Sequence, residues 1–318
     1  MNERLSVIIV DLVEEVIKLK KKTNATILAH NYQPPEVQDV ADFVGDSLEL
    51  SLKALESKAK LIVFAGVDFM AEQAAILNEN AVVLHPDPDA RCPMAQMITP
   101  DDIDKARKMY PGAPVVVYVN SPALVKAKAD YIVTSANALK LVEALDADTV
   151  IFGPDKHLAE YISSRTSKRV IAIPPNGHCP VHVNFDPVAV QELLKIYRGA
   201  EFIAHPECPY EVRKLANFVG STSQMVKYTV SSSCRVFLVG TEVGIIYRMV
   251  KENRDKVFVP ASTNAICSDM KKITLEKILK SLKDRVYVVS VDKEVALKVR
   301  KAIENTFSLL GVETPWRK

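Results

Sequence analysis

The chain has 318 residues, of which 48% are hydrophobic and 25% are charged, and 41 basic residues nearly balance 39 acidic ones. A net charge of +2 argues against nucleic acid or an anionic membrane as a partner. No apolar run approaches the roughly 18 residues of a membrane helix, and the N-terminus does not follow the plan of a signal peptide, so we expect a cytoplasmic protein.

The first hundred residues predict alternating strands and helices. Short apolar runs at 26–29, 61–64 and 81–84 are typical of strands that are buried on both faces. Between them, 37–55 and 70–77 have helical length and apolar residues at three- and four-residue spacing. Alternation of this kind predicts parallel strands joined by right-handed crossovers.

The same order of elements recurs along the chain. Three registers repeat at intervals of 87 or 88 residues: the segments that begin at His30, Tyr118 and His205, the glycines Gly66, Gly153 and Gly240, and the cysteines Cys92, Cys179 and Cys267. An acidic residue lies two positions after each glycine, and we expect it to form a turn or a helix cap that the three repeats share. Cys208 and Cys234 have no counterpart in the other copies, and no Cys-x-x-Cys pair exists.

These repeats predict an α/β fold of three homologous three-layer α/β/α units with parallel sheets and pseudo-threefold symmetry. Thr99 before Pro100, and Asp186 before Pro187, indicate helices that link the units. We predict units at 1–98, 99–184 and 185–285. We expect 286–318 to complete the first unit or to pack on it. The segment 286–290 lies close to the position at which a fourth repeat would have its first strand.

Polar residues stand where ligands bind in such folds, beyond the carboxyl ends of parallel strands. The residues that follow the first strand of each repeat form two varied tiers, namely His30, Tyr118 and His205, and Tyr32, Asn120 and Glu207. Each cysteine follows a third strand. If the strand ends of the three repeats meet, the cysteines converge on one point with these polar residues around them.

Three thiolates leave one coordination position open on a metal centre. Structural zinc sites are usually closed by four ligands, and iron–sulfur clusters normally take four cysteines. A cubane on three cysteines leaves one iron free to act as a Lewis acid on a substrate oxygen. The pattern therefore favours a catalytic cluster over an electron relay, with catalytic zinc as the alternative.

Three further residues recur in register: Ser47, Ser135 and Thr222. A hydroxyl residue at a helix start is commonly an N-cap. The same position presents free backbone N–H groups to an anion, which indicates binding of a carboxylate or a phosphate.

Taken together, the segments His30-Asn-Tyr-Gln, Tyr118-Val-Asn, His205-Pro-Glu-Cys, Gly220-Ser-Thr-Ser and the three cysteine contexts resemble the quinolinate synthase A family. The resemblance runs from about residue 25 to residue 271. It implies a [4Fe–4S] cluster on Cys92, Cys179 and Cys267. Two departures are Arg91, where many members have glycine, and the absence of a further cysteine near Cys267.

The resemblance also implies a reaction. Iminoaspartate and dihydroxyacetone phosphate condense to quinolinate, with loss of phosphate and two waters, in NAD biosynthesis. The enzyme would depend on another that produces iminoaspartate. Two alternatives stay open: an iron–sulfur dehydratase acting on another small acid, and a zinc-stabilised scaffold without catalytic activity.

Roles for the site residues follow as hypotheses. We expect Glu207 to be the general base, Tyr32 to donate or relay protons, and His30 and His205 to orient substrate oxygens. We expect Tyr118, Asn120 and Ser135 to bind the carboxylates of a substrate. We expect Ser47, Ser221 and Thr222 to bind a phosphate or a carboxylate.

Overall fold

The structure, a computed structural model, describes residues 3–313. The predicted units 1–98 and 286–318 therefore include a few terminal residues, 1–2 and 314–318, that lie outside the described part. The strands are β1 (Ala25–His30), β2 (Phe43–Gly45), β3 (Leu61–Ala65), β4 (Val82–Leu84), β5 (Val115–Tyr118), β6 (Tyr131–Val133), β7 (Thr149–Gly153), β8 (Arg169–Ala172), β9 (Glu201–Ala204), β10 (Phe218–Val219), β11 (Val236–Gly240) and β12 (Val257–Pro260).

Helices lie between and after these strands. They are α1 (Glu3–Thr23), α2 (Pro35–Val40), α3 (Ser47–Ser57), α4 (Asp68–Leu77), α5 (Pro100–Met109), α6 (Ala123–Lys126), α7 (Ala138–Ala144), α8 (Lys156–Ser163), α9 (Pro187–Ile196), α10 (Tyr210–Arg213), α11 (Thr222–Ser231), α12 (Ile245–Glu252), α13 (Leu275–Asp284) and α14 (Lys293–Leu309). In the described part of the chain, no helix has the length and apolar character needed to cross a membrane.

Each repeat forms one four-stranded sheet, and all three sheets have the same strand order. The orders are β2-β1-β3-β4, β6-β5-β7-β8 and β10-β9-β11-β12, and every pairing of neighbours is parallel. The predicted α/β repeats with parallel sheets are confirmed. The exact unit boundaries at 98 and 184 stay a prediction.

One prediction about the elements is wrong. Residues 37–55 form α2, the short edge strand β2 and α3, so each repeat has four strands and not three. Asp42 ends the helical stretch because its carboxylate accepts the backbone N–H of Ile27 at the start of β1, at 2.8 Å. Asp130 and Asn217 accept from Val115 and Phe202 in the same way, each at 2.8 Å. A three-residue strand is too short to leave an alternating pattern.

One of the recurring glycines, Gly153, marks a close approach of backbone at the end of β7. A Cβ atom at Gly153 would lie 1.7 Å from the carbonyl oxygen of Ile173, which no side chain can tolerate. The chain after β8 therefore packs directly on the end of β7, next to the loop that carries Cys179.

The three repeats contact one another in a cycle. Gln38 Nε2 donates to the carbonyl of Gly244 at 3.0 Å, Lys126 Nζ donates to Gln73 Oε1 at 3.0 Å, and Arg213 donates to Glu160 at 2.7 Å. The donors occupy equivalent positions, 88 and 87 residues apart, and each reaches the repeat before its own. This cycle is the contact pattern that pseudo-threefold symmetry requires, and it brings the carboxyl ends of the sheets together.

The linking helices begin as predicted. Thr99 caps α5 and Asp186 caps α9, and Thr274 caps α13 in the same register. Helix α13 packs against α1. Residues 286–290 do not form the first strand of a fourth repeat. Their pairing is a single antiparallel bridge from Val288 to Leu84.

Helix α14 covers the free edge of β6. The hydroxyl of Thr306 accepts the backbone N–H of Ile132 at 3.0 Å and donates to its carbonyl at 2.9 Å, so one side chain satisfies both groups of an edge residue. Helix α14 therefore packs on the second repeat as well as on the first.

We expect Thr306→Val to lower the free energy of unfolding by about 1–3 kcal/mol, because two buried backbone groups lose their partner while side-chain shape is kept. Chemical denaturation measures the change. Ser308→Ala, on the exposed face of the same helix, is the control and should stay within about 0.5 kcal/mol of wild type. A Thr306→Val protein as stable as this control would contradict the edge-capping role.

Candidate active site

The carboxyl ends of the three sheets open into one cavity. All three register cysteines line it. The predicted site residues that also line it are His30, Tyr32, Ser47, Tyr118, Asn120, Ser135, His205, Glu207 and Thr222. The convergence expected from the sequence registers is therefore present for every predicted residue except Ser221.

Ser221 lies outside this lining. It is the N-cap of α11, where its side chain accepts from the backbone N–H of Gln224 and donates to Asp46 at 3.2 Å. Its neighbour Thr222 does line the cavity and accepts from the Asn31 side chain at 2.9 Å. The helix start is thus tied to the first repeat through both hydroxyl residues.

The cysteines share one local geometry. Each is followed, three residues on, by a short 3₁₀ turn, at Ala95–Met97, His182–Asn184 and Met270–Lys272. Burial raises the pKa of all three thiols, while the first backbone N–H of each turn bonds the sulfur and acts in the opposite direction. Buried thiols that face donors and one another are suited to metal, whose charge offsets that of the thiolates.

Glu207 is the buried carboxylate at the centre of the polar tier. Tyr118 Oη donates to its Oε1 at 2.6 Å, and His182 Nδ1 lies 2.8 Å from its Oε2. Burial favours the neutral acid, but His205, His182 and Tyr118 outweigh burial and lower the pKa of Glu207 to about 2. The side chain is therefore an anion at neutral pH.

A chain of polar contacts runs from Glu207 to Tyr32. His182 Nε2 lies 2.8 Å from Thr241 Oγ1, and Thr241 Oγ1 lies 2.6 Å from Tyr32 Oη. Tyr32 can donate to Thr241 and Thr241 to His182 Nε2, which leaves the proton of His182 on Nδ1. Nδ1 lies close to Glu207 Oε2 but without the alignment of a hydrogen bond. Burial raises the pKa of Tyr32, so its phenol keeps its proton.

The two histidines of the first tier are neutral. Burial lowers the pKa of His30 and of His205 to about 3. Ser135 Oγ lies 3.3 Å from His205 Nε2, which joins the second repeat to the third. Neutral imidazoles can donate or accept one hydrogen bond at a substrate oxygen without adding charge to the cavity.

Sequence reasoning missed His182 and Thr241 as parts of the site. His182 is one of two histidines near Cys179, and nothing in the sequence pairs it with a partner, while Thr241 directly follows the recurring glycine Gly240. Their contacts join residues 59 and 209 positions apart. Only the folded arrangement of three repeats brings them together.

A mononuclear metal is a second arrangement that the side chains allow. The ligand atoms of Cys179, His182 and Glu207 all lie within 4.8 Å of one another. A thiolate, an imidazole and a carboxylate form a ligand set that suits zinc with one open position. This grouping uses one cysteine of the three that line the cavity.

The chain is similar to known proteins over most of its length. The sequence profile of a family described as Quinolinate synthetase A protein matches residues 14–308. A quinolinate synthase of Thermotoga maritima is 50% identical over 300 residues, covering 94% of this chain and all of that protein. Those of Pyrococcus abyssi and Sulfurisphaera tokodaii are 52% and 46% identical over 94% and 95% of this chain, and 99% of each relative is covered.

Cysteine substitutions distinguish the two metal arrangements. After anaerobic supply of iron and sulfide, we expect Cys92→Ser, Cys179→Ser and Cys267→Ser each to lose the bound iron, because each thiol is one corner of a shared site. Cys208→Ser and Cys234→Ser are the controls and should keep it. Iron and sulfide analysis measures the outcome. Loss of metal in Cys179→Ser with full retention in Cys92→Ser and Cys267→Ser would favour the mononuclear site.

Proposed function

The chain belongs to the quinolinate synthetase A family, and we propose that it condenses iminoaspartate with dihydroxyacetone phosphate to form quinolinate, phosphate and two waters. The observation that carries the proposal is that three cysteines and two tiers of polar residues line one cavity. The reaction would supply NAD biosynthesis and follow an enzyme that makes iminoaspartate. Unpaired cysteines suit a reducing compartment, which supports a cytoplasmic location.

In this proposal Cys92, Cys179 and Cys267 hold a [4Fe–4S] cluster. The side chains fit such a group, since three buried thiols face one cavity and each receives a backbone N–H from a 3₁₀ turn. When bound, the cluster supplies a Lewis acid through the one iron that lacks a cysteine.

Both substrates are anions, and the cavity offers matching donors in separate repeats. Tyr118, Asn120 and Ser135 of the second repeat would hold the carboxylates of iminoaspartate. Ser47 and Thr222 lie at the starts of α3 and α11, where backbone N–H groups and the helix dipole favour a phosphate or carboxylate. Ser221 would act through the cap that fixes this helix start.

Glu207 is the proposed general base. It is anionic, buried and within the cavity, Tyr118 fixes one of its oxygens by a hydrogen bond, and His182 lies beside the other. A proton removed from the condensing substrates would pass to the carboxylate. His30 and His205, both neutral, would orient substrate oxygens.

Tyr32 is the proposed proton donor at the other end of the chain of contacts. A proton taken up by Glu207 from one substrate atom and a proton given by Tyr32 to another would leave the net charge of the site unchanged. Thr241 and His182 lie between the two groups. Loss of water needs both a base and an acid, and this arrangement supplies them from one connected network.

The number of substrates distinguishes the alternative dehydratase from the proposed enzyme. A dehydratase acts on a single carboxylic acid substrate, so omission of dihydroxyacetone phosphate would leave its activity unchanged. A zinc-stabilised scaffold would bind zinc, contain no sulfide and turn over neither substrate.

We expect Glu207→Gln to lose about 10²–10⁴-fold in turnover, because the amide keeps the size of the side chain but cannot accept a proton. The iron content should not change. Quinolinate formation and iron analysis measure the two. Glu211→Gln, an exposed glutamate four residues on, is the matched control and should behave as wild type. Wild-type turnover in Glu207→Gln would show that the base lies elsewhere.

Thr241→Val should lower kcat by about 10²-fold, the lower end of an acid–base contribution, because Tyr32 and His182 lose their shared hydroxyl. KM should change little, since Thr241 is not among the proposed substrate holders. Thr229→Val is the control: that threonine is equally buried, but its hydroxyl donates to the carbonyl of Val226 in its own helix. Equal kcat in the two variants would contradict a catalytic role for the contacts that join Tyr32, Thr241 and His182.

A further inference from the structure

An acidic residue stands behind each cysteine of the proposed cluster. The backbone N–H of Cys92 donates to Asp68, that of Cys179 to Asp155, and that of Cys267 to Glu242. All three distances are 3.2 Å. The acids are the residues that follow the recurring glycines, 24 or 25 positions before their cysteines.

Each carboxylate also binds the chain near its own position. Asp68 accepts from the backbone N–H of Phe69 at 2.9 Å, Asp155 from that of Leu158 at 2.7 Å, and Glu242 from that of Gly244 at 2.7 Å. One side chain therefore joins the start of a helix to a cysteine loop that lies a strand further along the sequence.

The three carboxylates differ in what else surrounds them. Glu242 pairs with Lys271 at 2.8 Å, and Lys271 also donates to the carbonyl of Tyr32. Asp68 accepts from Gln96 at 3.1 Å. Asp155 is fully buried and accepts from backbone N–H groups. The contact with the cysteine is thus the feature that they share.

The repeats themselves provide a comparison. At the position of Asp42 and Asp130, which also accept a backbone N–H, the third repeat has Asn217 and keeps the contact. Asn217 shows that an amide suffices to accept this bond, while Asp42 and Asp130 in addition pair with Lys20 and Arg107.

Behind the cysteines all three repeats keep an acid. Burial favours the neutral form of Asp155 and of Glu242 by raising the pKa of each, so an effect of charge is expected first at the half-buried Asp68.

We propose that Asp68, Asp155 and Glu242 are positioning residues for the cluster: all three hold the cysteine loops, and Asp68 also places negative charge beside the thiolates. The inference rests on the proposed function. Nearby negative charge disfavours addition of an electron and therefore lowers the reduction potential of an iron–sulfur cluster. Fixed loops slow the loss of iron, as outer partners of metal ligands generally do. Both effects keep the cluster intact and oxidised for Lewis-acid chemistry.

Asp68→Asn is the sharpest variant. Oδ1 of Asp68 accepts from both Phe69 and Cys92, so an asparagine oxygen can keep both bonds while the charge is lost. Asp130→Asn is the matched control, because the third repeat already has asparagine there. Asp130 acts at the start of β5, the end opposite to the cavity.

Wild type and both variants are reconstituted anaerobically with iron and sulfide. Midpoint potential and the rate of iron release to a chelator are then measured. We expect Asp68→Asn to shift the potential in the positive direction and to release iron about 10–100-fold faster, while Asp130→Asn matches wild type. Asp155→Asn and Glu242→Gln should also release iron faster than wild type, because each acid accepts through both carboxylate oxygens and an amide keeps one acceptor.

The outcomes separate this inference from the proposed function. Equal potentials and equal release rates in Asp68→Asn and Asp130→Asn would overturn the inference, whatever the buried Asp155 variant does. A wild-type chain that takes up no cluster would overturn both. A cluster-loaded wild-type chain that makes no quinolinate would overturn the proposed function alone.

Discussion

The structure depends on a closed cycle of polar contacts between its three repeats. Gln38, Lys126 and Arg213 each extend from the end of a short helix into the preceding repeat. Because these donors are buried, breaking one contact would leave an unpaired polar or charged group inside the protein. The cycle holds the carboxyl ends of three separate sheets against one cavity, and no single repeat contains more than one of the three cysteines that line it.

Repetition with variation explains how one frame supports chemistry. The strand order, the acceptor at the start of each first strand and the glycine at the end of the second long strand recur. The side chains beyond the strands differ, so the cavity receives neutral imidazoles, phenols and one anionic carboxylate. Glu207, Thr241 and His182 belong to the second and third repeats, and their link to Tyr32 of the first depends on the same cycle.

Much of this was predictable from the sequence because three copies constrain one another. The cysteine, glycine and first-strand registers agree within one residue, so Cys92, Cys179 and Cys267 could be placed together without a structure. The short edge strands, such as Phe43–Gly45, were not predictable, since three residues leave no pattern. His182, Thr241 and the role of Asp68 were hidden because each depends on a contact between segments that are distant in sequence.

The central claim is that three cysteines and the polar tiers form one catalytic site. The most direct measurement is quinolinate formation from iminoaspartate and dihydroxyacetone phosphate by the anaerobically reconstituted chain, with iron and sulfide counted in the same sample. The account predicts product only when both substrates are present and the chain carries about four irons with sulfide, as a [4Fe–4S] centre contains. Full product formation by a sulfide-free chain, or none by a fully loaded chain, would contradict it.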